Sequence, residues 1–181
     1  MQHYKSRVDA TETEQVAALV GVFMTLHSFA AHHESCLAAK VGLTTDRFDL
    51  VVAAPSSNAH VDNSHLQRLV DLMPGFDGRV IRGLTATARG RTEHKSPSAE
   101  RFTLSETMAG VEGKSVLIID DVWTTGATVR SCALALAEGG ANTIGAMVIE
   151  RFLKPDRWPP TEQNIEAVKQ TGFDGCCTIC R

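Results

Sequence analysis

Apolar positions along this chain alternate between two periods. From Thr11 to about Val41, Val16, Leu19, Val20, Phe23, Leu26, Phe29 and Ala30 fall on one broad stripe at helical spacing, and Gly42 is a suitable stop. Phe48 to Ala54 is a mostly apolar run, the pattern of a strand covered on both faces, and it leads directly into Pro55-Ser56-Ser57-Asn58. His60 to Met73 returns to helical spacing. Leu66, Leu69, Val70 and Met73 face inward there, Asp62 or Asn63 serves as N-cap, and Pro74-Gly75 ends the helix. Arg79 to Leu84 reads as a short strand, and residues 85–101 carry no periodicity. Val116 to Ile119 is unbroken apolar sequence and runs into Asp120 and Asp121. After the hydroxyl-rich stretch Thr124-Thr125-Gly126-Ala127-Thr128, helical spacing resumes with Val129, Cys132, Ala133, Leu136 and Ala137. Gly139-Gly140 closes that helix, and Thr143 to Glu150 is a further strand. Strands alternating with helices predict an α/β fold with a mostly parallel sheet.

Composition narrows the function classes. At 181 residues the chain suits one domain able to bury a substantial core. Its net charge of −3, from 18 Lys and Arg against 21 Asp and Glu, supplies no global pull toward nucleic acid or membrane. The apolar run Val16 to Met24 is too short to span a bilayer. Asp9, Glu12 and Glu14 precede it, the wrong charge for a signal peptide, so a cytoplasmic location is expected. Five cysteines, with Cys176, Cys177 and Cys180 crowded at one end, do not form the pattern of a disulfide framework.

The chemistry concentrates at 116–128. Backbone N–H groups at a helix start are unpaired and attract phosphate oxygens. Gly126 permits close approach of a ligand to the backbone, and the threonine hydroxyls add donors. Carboxylates do the opposite: they accept from sugar hydroxyls and repel phosphate. A buried strand that delivers acids and then such a turn therefore suits a phosphorylated sugar. A Gly-x-x-x-x-Gly-Lys-Ser/Thr loop is absent, which excludes the usual nucleoside-triphosphatase signature. Trp123 puts a large indole between the acids and the threonines; it either packs over the loop or walls the ligand.

The stretch Val116 to Thr128 resembles the signature of the type I phosphoribosyltransferases, which bind 5-phosphoribosyl 1-diphosphate (PRPP). The overall likeness covers roughly residues 46–150 and is greatest to small proteins of the competence protein F kind, although their N-terminal zinc ribbon is absent. The resemblance implies an open, mostly parallel sheet flanked by helices. The core would be about 46–151, with a small hood from 1–45 and 152–181 that chooses the acceptor. It implies that Asp120 and Asp121 hold the ribose hydroxyls, that Thr124, Thr125, Gly126, Ala127 and Thr128 hold the 5-phosphate, and that Mg2+ bridges diphosphate and ribose. It assigns Ser56, Ser57 and Asn58 to a diphosphate loop. That loop departs from many relatives in containing no Arg or Lys, and His60 is the nearest cation. Within the charged stretch Arg79 to Arg101, it gives Arg89, Arg91 and Lys95 to a mobile loop that closes over the diphosphate. A homodimer is common in the family.

The expected reaction is displacement of diphosphate from C1 of PRPP by a nitrogen acceptor, a nucleobase or related amine. A non-catalytic PRPP-binding regulator or competence-related accessory protein is the alternative, and the missing cation at 56–59 favours it modestly. A nucleic-acid adaptor using residues 79–101 is the weakest reading. Separately, Cys177 and Cys180 form a Cys-x-x-Cys pair, and His32 and Cys36 share a helix face at i and i+4. If the chain ends meet, these residues have the donors of a structural zinc site.

Overall fold

Val116, Leu117, Ile118 and Ile119 are completely buried, as an apolar run requires when both faces of a strand are covered. The computed structural model describes residues 12–56, 64–87, 96–105, 110–151 and 166. These form α1 (Glu12–His32), α2 (Glu34–Lys40), β1 (Leu50–Ala53), α3 (Ser64–Asp71), β2 (Leu84–Ala86), β3 (Phe102–Leu104), β4 (Ser115–Trp123), α4 (Ala127–Glu138) and β5 (Thr143–Arg151). Single turns of 3-10 helix lie at Pro74–Phe76 and Ala99–Arg101.

The main sheet runs β1-β4-β5 with all pairings parallel. Residues 79–81 extend it on the far side of β1. The amide of Val51 donates to the Arg79 carbonyl at 2.9 Å and the amide of Ile81 to the Val51 carbonyl at 2.9 Å, around a parallel bridge from Val51 to Val80. The strand expected at Arg79 to Leu84 is thus divided. Its first half borders the sheet, and Leu84 instead opens an antiparallel ladder in which β2 pairs with β3. Of residues 85–101, aperiodic in sequence, the described part holds the end of β2 and the 3-10 turn Ala99–Arg101 that leads into β3.

Strand alternation gives each sheet face its own core. Leu117 and Ile119 meet Val22, Leu26 and Phe29 of α1, Ala38 of α2, and Leu66 and Val70 of α3. Val116 and Ile118 meet Val129, Cys132 and Leu136 of α4, together with Leu84 and Phe102 of the β2–β3 pair. Each fully buried aliphatic side chain contributes about 1.5–3 kcal/mol.

The N-terminal helix departs from expectation in two ways. It breaks at His33, between His32 and Glu34, so the stretch to Val41 is two helices. Its buried stripe is Val22, Leu26 and Phe29, while Val20 is 55% exposed. Nearly every residue from Val16 to Met24 is apolar, so spacing alone could not choose between neighbouring stripes. No described helix is long and apolar enough to cross a membrane.

Candidate functional site

β4 continues past its neighbour. The β1 register ends at Ala53 opposite Ile119, where the amide of Ala54 still donates to the Ile119 carbonyl at 2.8 Å. β5 accompanies β4 further, with Asp120 opposite Val148, Val122 opposite Glu150 and Trp123 opposite Arg151. Asp120 and Asp121 therefore lie inside the strand at the carboxyl edge of the sheet, just beyond the end of β1. Open α/β folds present ligands at that edge.

Both carboxylates are largely buried, at 7% and 2% exposure. The amide of Asp121 donates to Asp120 Oδ1 at 3.0 Å, which turns the first carboxylate back along the chain. Successive residues of a strand face opposite sides. Asp120 follows Val116 and Ile118 onto the α4 side, where its charge is felt by the Cys132 thiol. Asp121 follows Leu117 and Ile119 onto the side of α1 and α3. The two acids are adjacent in sequence but serve different faces. Glu150 shares the Asp120 face at the same edge, an acid the sequence reading did not select. Its position opposite Val122 follows from the β4–β5 register, which the sequence does not supply.

The turn after β4 has the geometry of an open helix start. Gly126 occupies the N-cap position with φ 75 and ψ 6, the left-handed region that a side chain adopts at a cost of about 1–2 kcal/mol. A Cβ at this position would also collide with the Trp123 indole. That contact answers how Trp123 is used: the ring packs on the turn backbone and joins the α4-side core. Thr124 and Thr125 are exposed, Thr128 is half-buried, and Gly126 and Ala127 are buried. Thr125 Oγ1 accepts from the Ala127 amide at 3.3 Å, which leaves its hydroxyl proton free to donate outward. The first return bond of the helix runs from the Arg130 amide to the Gly126 carbonyl at 3.0 Å. The amides of Thr128 and Val129 precede it and have no intrahelical acceptor.

Beneath this turn lies a residue that sequence reasoning passed over. Arg101 is 1% exposed. Its Nη1 donates to Ser131 Oγ at 3.3 Å, and its guanidinium lies 5.7 Å from the centre of the Phe102 ring. Ser131 donates to the Ala127 carbonyl at 2.7 Å and accepts from the Ser98 amide at 3.0 Å. The signal that could have found Arg101 is its place immediately before the alternating Phe102-Thr103-Leu104, which fixes it at the root of a strand. Cys132, the next residue of α4, has its thiol pushed well above the usual range. Burial is the main cause, the Asp120 carboxylate adds to it, and Arg101 partly offsets it.

The remaining candidates separate. Ser56 is half-buried at the end of β1, and Ser57, Asn58 and His60 lie outside the described residues, as do Arg89, Arg91 and Lys95. Two other cations of the 79–101 stretch are held in ion pairs. Arg79 holds Glu34 in a two-point ion pair, with Nη1 2.5 Å from Oε1 and Nη2 2.9 Å from Oε2, and it also donates to the Phe48 and Gly75 carbonyls. Arg82 pairs with Asp71. His32 and Cys36 do not share one helix as expected, because the break at His33 separates them. Among the described residues, no group of three or more His, Cys, Asp or Glu is placed to hold a metal. Cys177 and Cys180 lie outside the described residues.

The chain is similar to several known proteins. Over 64 residues the chain is 42% identical to the transcriptional regulator GfcR of Methanococcoides burtonii, a match spanning 35% of the chain and only 32% of the regulator. A hypoxanthine phosphoribosyltransferase of Staphylococcus aureus aligns with 85% of this chain and 82% of its own, at a TM-score of 0.45 and 15% identity. The hypoxanthine phosphoribosyl transferase of Trypanosoma cruzi aligns with 82% and 93%, at 0.46 and 16%. Residues 47–173 match the family model of the phosphoribosyl transferase domain, well over half of the sequence, and the chain belongs to that family.

Proposed function

We propose that this chain binds PRPP at the carboxyl edge of β4 and transfers its phosphoribosyl group to a nitrogen acceptor, releasing diphosphate. The observation that carries the reading is the junction of two buried acids with an αL glycine and an exposed, hydroxyl-lined helix start. The amides of Thr128 and Val129 and the hydroxyls of Thr124, Thr125 and Thr128 receive the 5-phosphate. Asp120 and Asp121 accept from the ribose hydroxyls. Their carboxylates also disfavour phosphate at their own end of the site, which sets the direction in which the sugar lies.

Displacement at C1 passes through an oxocarbenium-like transition state, so positioning and charge carry the rate. A carboxylate beside the ring stabilises positive charge developing there. Asp120 and Asp121, hard oxygen donors at the carboxyl edge of the sheet, would hold Mg2+, which would supply charge to neutralise the departing diphosphate. In this reading Ser56, Ser57 and Asn58 take the diphosphate. Arg89, Arg91 and Lys95 close over it and exclude water, which would otherwise hydrolyse the activated sugar.

A second reading keeps the site and drops catalysis: a PRPP-binding regulator. The local likeness to a transcriptional regulator supports it, as does the absence of Lys and Arg from 56–59. One experiment serves both. Calorimetry with PRPP and Mg2+ is expected to give binding to the wild type, and Asp120→Asn with Asp121→Asn, or Gly126→Val, to lose it. Retained wild-type affinity in these variants contradicts the site. Diphosphate release with a panel of free bases then marks the enzyme, and tight binding without release marks the regulator.

A further inference from the structure

Arg101 carries a full positive charge in the interior, yet it forms no ion pair among the described residues, and its Nε–H meets no acceptor there. Among the described residues its guanidinium donates to a neutral hydroxyl, Ser131 Oγ. Buried cations are ordinarily paired, because the loss of hydration costs far more than one neutral hydrogen bond returns. The Phe102 ring offsets only part of that cost. Asp120 and Glu150 lie on the same side of the sheet, and the Asp120 carboxylate and the Arg101 guanidinium act on the Cys132 thiol in opposite senses.

The surroundings make the charge less comfortable. Ser131 bridges the guanidinium to the carbonyl of Ala127, the first residue of α4. The positive end of the helix dipole therefore lies beside a second positive charge rather than opposing it. Positive potential from both sources then reaches a turn whose Thr128 and Val129 amides have no intrahelical acceptor. An anion seated on the turn relieves both sources at once.

We propose that Arg101 is a positioning residue for the turn at 124–128: buried and out of ligand contact, it charges the start of α4 from beneath so that the turn favours a phosphoryl dianion. The inference rests on the sugar-phosphate reading of that turn and adds a determinant outside it. It also links two elements. Arg101 sits at the root of β3, and Ser98, just before it, donates its amide to Ser131.

The test is thermal unfolding and calorimetry at constant ionic strength. Chloride alone is compared with added inorganic phosphate, ribose 5-phosphate and PRPP, for the wild type, Arg101→Met, Arg101→Gln and Arg101→Lys. Loss of a buried charge at this range is expected to weaken ribose 5-phosphate roughly tenfold in the two neutral variants. Those variants remain at least as stable as wild type in chloride, because they no longer bury an unpaired charge. Arg101→Lys stays within about threefold of wild-type affinity. A purely structural arginine would instead lower Tm equally with and without ligand while the affinity of the folded protein held, and that result overturns the inference. Failure of both neutral variants to fold under every condition overturns it too. If the wild type answers to none of the phosphorylated probes, the sugar-phosphate reading falls. If it answers and the neutral variants answer equally, only the role of Arg101 falls.

Discussion

Cys132 shows how one residue reports on the charges around the turn. Its side chain is fully buried between α4 and β4, and the thiolate is disfavoured first by burial and then by the Asp120 carboxylate, against a smaller opposing pull from Arg101. A thiol whose folded value lies above its unfolded value keeps its proton in the native state after the unfolded chain has begun to lose it. Its contribution to stability is intact below the unfolded value, close to 9, and declines as pH rises beyond it. Two outcomes follow for the same group. In native protein Cys132 should resist thiol reagents at pH 8, as read by mass mapping of the labelled peptides, and should label fully once the chain is unfolded. Replacing it with Ala should also flatten the fall in stability above about pH 9. Rapid native labelling of Cys132 would mean that α4 does not seal this face of β4.

At the scale of elements, the Arg79–Glu34 pair fastens α2 to the sheet. Glu34 is 3% exposed and also accepts from the Phe48 amide at 3.2 Å, so one carboxylate joins a helix, the start of β1 and the bridge segment at 79–81. Glu34→Ala strands a guanidinium that is only 15% exposed. The expected loss is about 3 kcal/mol, the lower end for a broken buried pair because Arg79 retains some water. Chemical denaturation should show a lower midpoint, and Glu34→Leu combined with Arg79→Met should recover part of it. A loss below about 1 kcal/mol would place the pair in effectively solvated surroundings. This pair also marks a boundary of what could be read from sequence. β4, α4 and β5 were legible because each carries its own period and punctuation, from the apolar run at Val116 to the stop at Gly139. The use of Arg79 was not, because it lay among cations of similar appearance and its partner is distant in the chain. The acids and the turn of the candidate site were legible for the same local reason as β4. Arg101 and Glu150 were not, since each is defined by contacts across the fold rather than by its neighbours in sequence.

For the molecule as a whole, the division of the sheet into two ends predicts that stability and binding can be changed separately. Gly145 lies on β5 opposite Leu117 and is buried against the Phe48 ring, and a Cβ there would overlap the ring. Gly145 sits well before the carboxyl edge: the β4–β5 register runs on from Leu117 through Ile118 and Ile119 before it reaches Asp120. It also faces the α1 and α3 side, whereas Asp120, Arg101 and α4 belong to the other. Overpacking of this kind costs about 1–3 kcal/mol, since neighbours must leave their rotamer wells. Gly145→Val should therefore lower the unfolding midpoint, and PRPP or ribose 5-phosphate should bind the fraction that remains folded with wild-type affinity. Because ligand binds the native state only, saturating ligand should raise the midpoint of the variant as much as that of the wild type. Equal ligand-induced shifts from unequal starting stabilities are the expected signature of a scaffold whose packing at one end is independent of the turn at the other. A variant that loses ligand response together with stability would show instead that the Phe48–Gly145 contact governs how far β4 and β5 run past β1, and so where Asp120 and Asp121 emerge.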